Sequence, residues 1–321
     1  MAIGRGRPLT QPASAYPRRV PCTHCGDDGA IGVETGSRPV YSKPMTGEDV
    51  IRRVGARLER VREGIHAAAA RRGRDGAGVG LVAVTKYAPA EQVQALRELG
   101  HRDLGENRTQ QLVERAASLT LPEPPQTPGS PSESPGQSRS GSPAAIRWHM
   151  IGHLQRNKAK HLLPWVHLLH SLDSSRLIGE LEKLIARERE QSAAAAGPST
   201  LPSGRAAGDP LDVLIEVNIA GEANKHGIDP EGAIALAHQA AESPALRLRG
   251  LMTMAPYDPD PETARPVFAR LAALFERIGG EVNPGQAFDT LSMGMSGDYE
   301  VAVEEGATLL RLGSVLFEAD G

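Results

Sequence analysis

A lysine and an arginine each stand alone in an apolar run, and both are residue types whose placement there asks for a chemical reason. Leu81-Val82-Ala83-Val84-Thr85 reads as a buried strand, with Lys86 at its C-terminal edge. A primary amine delivered from a rigid element suits Schiff-base chemistry, because a partly desolvated lysine more readily loses the proton that blocks nucleophilic attack. Taken by itself, Lys86 has a plainer reading as a solvated loop residue. Arg311 is the sole charge in Leu309-Leu310-Arg311-Leu312-Gly313, and a buried guanidinium is costly unless a partner accepts its hydrogen bonds. That partner can be a carboxylate such as Glu216, or a ring nitrogen brought by a ligand. Because arginine only donates, a pyridine nitrogen facing it would stay unprotonated, and the ring would be a poorer electron sink.

Gathering such residues into one site requires a fold that collects strand ends. From Leu81 the chain alternates short apolar runs with helical patterns, the sequence sign of parallel βα units. The strands are expected at 81–85, 102–104, 148–151, 168–171, 213–217, 246–252, 290–292 and 308–312, with helical segments between them such as 90–99, 174–189, 230–241, 261–278 and 296–305. A further helix is expected ahead of them. Thr46-Gly47-Glu48-Asp49 resembles an N-cap, and Ile51, Val54, Leu58, Val61 and Ile65 follow at helical spacing to about Arg72, before Gly73. Eight βα repeats over about 240 residues fit a closed (β/α)8 TIM barrel in number and size. A doubly wound open sheet is the alternative.

Two stretches interrupt the alternation, at about 121–145 with its many prolines and at about 191–210 with a run of alanines before Gly197-Pro198. Both read as flexible inserts on the face away from strand C-termini. On the other face, Ser292-Met293-Gly294-Met295-Ser296 and Arg311-Leu312-Gly313-Ser314 follow the last two strands. Barrels often bind phosphate between those loops, where unpaired N–H groups point at the anion. Here glycine allows close approach and Ser292, Ser296 and Ser314 supply hydroxyls, while Met293 and Met295 read as packing residues. An amine, a phosphate cradle and a ring-nitrogen partner are together the parts of a pyridoxal phosphate site.

Composition narrows the alternatives. A hydrophobic fraction of 40% in 321 residues supports one large core, and the formal charge of -3 gives no electrostatic ground for a nucleic-acid partner. No run is long and apolar enough for a membrane span, and Cys22 and Cys25 are the only cysteines, which points to a cytoplasmic protein. Residues 1–44 are rich in Gly, Pro, Arg and Ser and read as a disordered leader ahead of a single domain at 45–321. Its Cys22-Thr23-His24-Cys25 lacks the second pair a zinc site needs, so no metal is expected.

At this point the motifs resemble a known family, the pyridoxal phosphate homeostasis proteins (YggS/PROSC), which are single barrels similar to the N-terminal domain of alanine racemase, of the kind called fold type III among pyridoxal phosphate proteins. The resemblance covers about residues 46–317 outside the inserts. It is carried by Val82-Ala83-Val84-Thr85-Lys86, Gly105-Glu106-Asn107, Trp148-His149-Met150-Ile151-Gly152-His153-Leu154-Gln155-Arg156-Asn157-Lys158, Leu248-Arg249-Gly250-Leu251-Met252, Leu291-Ser292-Met293-Gly294-Met295-Ser296 and Arg311-Leu312-Gly313-Ser314. It implies that Lys86 forms an aldimine with pyridoxal 5'-phosphate and that Arg311 meets the pyridine nitrogen. Ser292, Ser296, Gly313 and Ser314 would hold the phosphate, Asn107 would lie near the ring's polar edge, and His149 would either touch the cofactor or pack in the core. Lys225 matches another family lysine, and Glu318 departs from the family's usual small residue. The implied function is to hold and deliver the cofactor, with apo-enzymes that use it as recipients.

Alanine racemase adds a C-terminal domain that supplies a second base, whereas this sequence reaches Gly321 soon after the eighth strand, so binding without turnover is expected. The competing expectations are a racemase-like enzyme that recruits His149 or Tyr299 as its base, and a Schiff-base aldolase without a cofactor.

Overall fold

The computed structural model describes residues 46–120, 145–195, 199–222, 226–285 and 287–317. The expected leader with Cys22 and Cys25, the bulk of the proline-rich insert, Lys225 and Glu318 lie outside those residues. Helix α1 (Gly47–Ala70) begins in a capping box, Thr46 and Asp49 exchanging side-chain and backbone bonds. Its buried stripe of Val54, Leu58, Val61 and Ile65 follows the helical spacing of the sequence.

The barrel then alternates as β1 (Gly80–Val84), α2 (Ala90–Glu98), β2 (Asp103–Glu106), α3 (Thr109–Thr120), β3 (Arg147–Met150), α4 (Ala159–Leu162), β4 (Val166–Leu172) and α5 (Ser175–Ala194). It continues as β5 (Leu211–Glu216), α6 (Pro230–Glu242), β6 (Leu246–Met252), α7 (Arg265–Val282), β7 (Thr290–Ser292), α8 (Tyr299–Glu304), β8 (Leu309–Leu312) and α9 (Ser314–Phe317). Among the described residues eight strands pair in sequence order, and β8 pairs with β1 to close the barrel. All pairs are parallel, so all C-terminal ends share one rim.

Alternation along each strand divides the side chains into two sets. Ala83, Leu104, Leu169, Val213, Leu251 and Leu310 face outward and pack beneath the helices with Phe268, Leu271 and Leu58. Each large apolar side chain fully buried there contributes about 1.5–3 kcal/mol. Leu168, Leu214 and Met252, with Leu309, form a separate cluster inside the barrel.

The end of the barrel where the strands begin is closed by charge. Asp103 takes Arg147, while Asp212 takes Arg247 at 2.7 Å and Arg249 at 2.8 Å. Arg249 also reaches Asp289 at 3.0 Å.

Part of the second insert makes specific contacts. Helix α5 runs five residues past its expected end at Arg189, because Glu188 and Arg189 organise the chain that follows. Arg205 meets Glu188 at 2.9 Å, Arg189 Nε donates to the Gly208 carbonyl at 2.6 Å, and Thr200 bridges Ala206. Residues 199–209 are therefore a packed turn with Ser203 buried.

Candidate functional site

The lysine loop is clamped from two sides. Thr85, fully buried at the top of β1, donates its N–H to the Gly105 carbonyl (3.0 Å) and its hydroxyl to Glu106 Oε1 (2.6 Å). Arg115 of α3 meets the same oxygen at 3.2 Å. From the same helix, Gln111 donates to the Lys86 carbonyl (2.7 Å) and Arg115 to the Ala88 carbonyl (3.1 Å). The backbone around Lys86 is thus fixed, while its half-buried side chain places Nζ 5.1 Å from the centroid of the Tyr87 ring. Burial pushes the Glu106 carboxyl up, opposed by the Thr85 hydroxyl and by the charges of Arg115 and Lys86.

Barrel closure brings the last loops beside this lysine. Val82 faces Arg311 in the β1–β8 ladder, and a Cβ on Gly313 would stand 3.5 Å from the Val84 carbonyl oxygen. At that corner Ser296 Oγ accepts from the N–H groups of Gly313 (3.2 Å) and Val315 (3.3 Å). Gly294 makes the turn possible: its φ is 94°, and a Cβ there would stand 2.6 Å from Ala302 Cβ. Asp298 Oδ1 closes the turn by accepting from the Met295 N–H at 2.6 Å.

Below this rim a hydrogen-bonded chain crosses the barrel. Arg311, 3% exposed, donates from Nη1 to Ser292 Oγ at 2.6 Å and from Nη2 to the Thr253 carbonyl at 2.8 Å. Ser292 Oγ lies 3.1 Å from His170 Nδ1, His170 Nε2 lies 3.0 Å from His149 Nδ1, and His149 Nε2 lies 3.0 Å from Asp103 Oδ1. β4 and β7 are not neighbours, so a bond between His170 and Ser292 must pass through the barrel interior. Burial pulls Arg311 down to about 10, opposed by the charges of Asp298 and Glu216, which leaves it protonated at neutral pH.

Glu216 ends β5 on the interior side, 4% exposed, and its Oε2 has no hydrogen-bond partner among the described residues. Burial and the nearby Asp173 push its carboxyl up to about 7, against the pull of Arg311. Asp173 in turn meets His153 Nδ1 at 3.0 Å, and the His153 ring stacks on His226 with centroids 4.3 Å apart.

The structure sets Gly313 against Val84, two residues before Lys86, and ties Ser296 to Gly313 and Val315 at the same rim. Asn107 lies half-buried at the end of β2, its carbonyl packed so closely on Gly152 that no side chain fits there. Ser292 is fully buried, and its hydroxyl is engaged by Arg311 and His170 inside the barrel. Both ring nitrogens of His149 are taken by His170 and Asp103, the packed arrangement that was one of the two expected for it. Arg311 does not pair directly with Glu216; its bonds go to the neutral oxygens of Ser292 and Thr253. Tyr299, the other suggested base, packs its hydroxyl against Gly64 of α1 on the outside of the barrel.

Sequence reasoning missed His170, Thr253 and the clamp formed by Glu106, Gln111 and Arg115. The burial-cost argument that singled out Arg311 applies equally to His170 in Leu168-Leu169-His170-Ser171-Leu172. No local signal marks Thr253, which acts through its carbonyl.

The family model described as alanine racemase, N-terminal domain, matches residues 58–320. The chain is 35% identical over 261 residues to a pyridoxal phosphate homeostasis protein of Aquifex aeolicus, covering 81% of this chain and 96% of that one. It is 38% identical over 265 residues to the Pseudomonas aeruginosa protein of the same name, covering 81% and 91%. Among solved structures, PipY of Synechococcus elongatus with PLP bound is 25% identical at a TM-score of 0.60, covering 82% of this chain and 99% of PipY. Alanine racemase of Clostridium difficile shares the fold at 11% identity and a TM-score of 0.53, over 84% of this chain and 58% of that one.

Proposed function

Since the chain belongs to the alanine racemase N-terminal domain family, and within it to the pyridoxal phosphate homeostasis proteins, we propose that it binds pyridoxal phosphate at the barrel rim, buffers it, and delivers it to apo-enzymes that require it. The observation that carries this reading is the corner between β1 and β8. There a conformationally clamped Lys86 adjoins a turn in which Ser296 Oγ accepts from the Gly313 and Val315 N–H groups. A hydroxyl oxygen held by two main-chain donors is what a phosphate oxygen would replace or join, and Gly313 keeps the approach open. When bound, the cofactor supplies an aldehyde, a ring nitrogen and a phosphate. Lys86 would be the amine that holds the aldehyde. Arg311 would donate to the ring nitrogen, Asn107 would lie near the ring's polar edge, and Ser296, Gly313 and Ser314 would hold the phosphate.

An arginine at that nitrogen favours retention over turnover, because it keeps the ring unprotonated. The two side chains suggested as racemase bases are engaged elsewhere, His149 within the barrel and Tyr299 against α1.

The test is spectroscopic. Incubation with pyridoxal phosphate should give a visible absorption band that borohydride reduction fixes as added mass on the Lys86 peptide, and Lys86→Ala should abolish both. A colourless parent protein, or a labelled lysine elsewhere, overturns the reading. Transfer of the cofactor from the loaded protein to an apo-enzyme, measured as recovered activity of the recipient, tests delivery.

A further inference from the structure

We propose that His170 is a positioning residue for Arg311, and that His149 and Asp103 serve to hold His170 in one tautomer. The direction of the chain follows from its two ends. Arg311 can only donate, so Ser292 Oγ accepts from it. Asp103 can only accept: burial works against its ionisation, yet the hydrogen bonds of His149 and Arg147 hold its carboxyl well below the usual carboxylate range. His149 therefore carries a proton on Nε2, and in its neutral form offers a bare Nδ1 to His170. His170 must answer with a proton on Nε2, which leaves its own Nδ1 bare toward Ser292. The Ser292 proton then goes to His170, and the Ser292 lone pairs face the guanidinium.

The opposite tautomer of His170 would set two ring-nitrogen lone pairs 3.0 Å apart against His149, a repulsive contact between two buried rings. It would also leave the Ser292 proton without its acceptor in a fully buried site. Burial, with the charge of Arg311, keeps His170 well below the ordinary histidine range and so neutral.

The consequence lies at Arg311. Its guanidinium is held in plane by two acceptors, Ser292 from β7 and the Thr253 carbonyl just past β6. One of those acceptors keeps its orientation only because His170 takes its proton. On the reading that the rim binds pyridoxal phosphate, His170 thereby sets where the donor to the ring nitrogen points, although it touches no cofactor atom itself.

The tautomers can be read on the full-length protein without cofactor, by NMR of ¹⁵N-labelled histidine. Both His149 and His170 should be neutral with the proton on Nε2. A proton on His170 Nδ1, or an imidazolium at His149, which would reverse the chain, overturns the proposal.

Two variants then separate positioning from packing. In His170→Asn the amide oxygen stands near Nδ1 and still accepts from Ser292. In His170→Gln the amide group stands near Nε2 and serves only His149. The expected result is pyridoxal phosphate affinity close to the parent in H170N and about tenfold weaker in H170Q. Equal affinities in the two, whether lowered or unchanged, overturn the positioning role. Thermal melts identify a variant that fails to fold, in which case the tautomer measurement on the parent decides. A parent that shows the tautomers but binds no cofactor would defeat the proposed function and leave the relay standing.

Discussion

The two ends of the barrel use similar side chains to opposite effect. Where the strands begin, Asp103, Asp212 and Asp289 are met by Arg147, Arg247 and Arg249 in partly exposed pairs. Where they end, Glu216 is buried with an oxygen unpartnered among the described residues, and Arg311 is buried against neutral oxygens alone. Paired charges at a wet floor cost little and close the barrel. Unpaired charges under the rim cost several times more and persist where a ligand can complete them. The floor is built for stability, and on the proposed function the rim holds charge in reserve for binding.

The sharpest break of that contrast is Glu216→Gln. The folded-state value near 7 lies above the ordinary value of 4.5, so the folded protein binds this proton more tightly than the unfolded chain. Stability from this group is fully present below about pH 4.5 and is lost as pH rises through about 7. The variant should lack that loss and gain on the parent by as much as about 3 kcal/mol at pH 8, measured as the difference in urea midpoints between pH 5 and pH 8. An identical pH response in parent and variant would mean that Glu216 is not strained.

Next in size, Arg311→Met should lower pyridoxal phosphate affinity by about tenfold to a hundredfold, the range for a lost charge-assisted hydrogen bond. Melting should move little, because a buried cation without a facing anion is removed along with its bonds. Loss of folding at unchanged affinity would assign Arg311 to the core instead. The smallest effect belongs to the floor. Asp212→Asn should cost about 1–2 kcal/mol, discounted because Arg247 is 50% exposed, with no change in cofactor affinity. A change in affinity there would show that floor and rim are coupled beyond the His149–His170 chain.

Much of the barrel was legible along the chain because each strand is a local pattern. The eight expected strands match those observed within about two residues. Helix α3, whose Gln111 and Arg115 clamp the lysine loop, was implied by the count of βα repeats but given no bounds, since its apolar stripe runs directly into the proline-rich insert. The second insert was read as flexible from its alanines and glycines, and the Glu188–Arg205 pair that packs part of it spans a helix end and a turn. Ser292 and Ser296 looked equivalent as hydroxyls four residues apart. Strand alternation sends the first into the barrel, and the turn at Gly294 leaves the second at the rim.

The sequence by itself determined the alternation of elements, the lysine after the first strand, and the arginine whose burial demanded a partner. Hydrophobic period and the cost of an isolated charge are properties of neighbouring residues, and they can be read without knowing the fold. Only the tertiary structure decided which acceptors that arginine has. Asp103, His149, His170, Ser292 and Arg311 come from five different strands, and their order in the hydrogen-bonded chain exists only once β8 pairs with β1 and the interior closes around them.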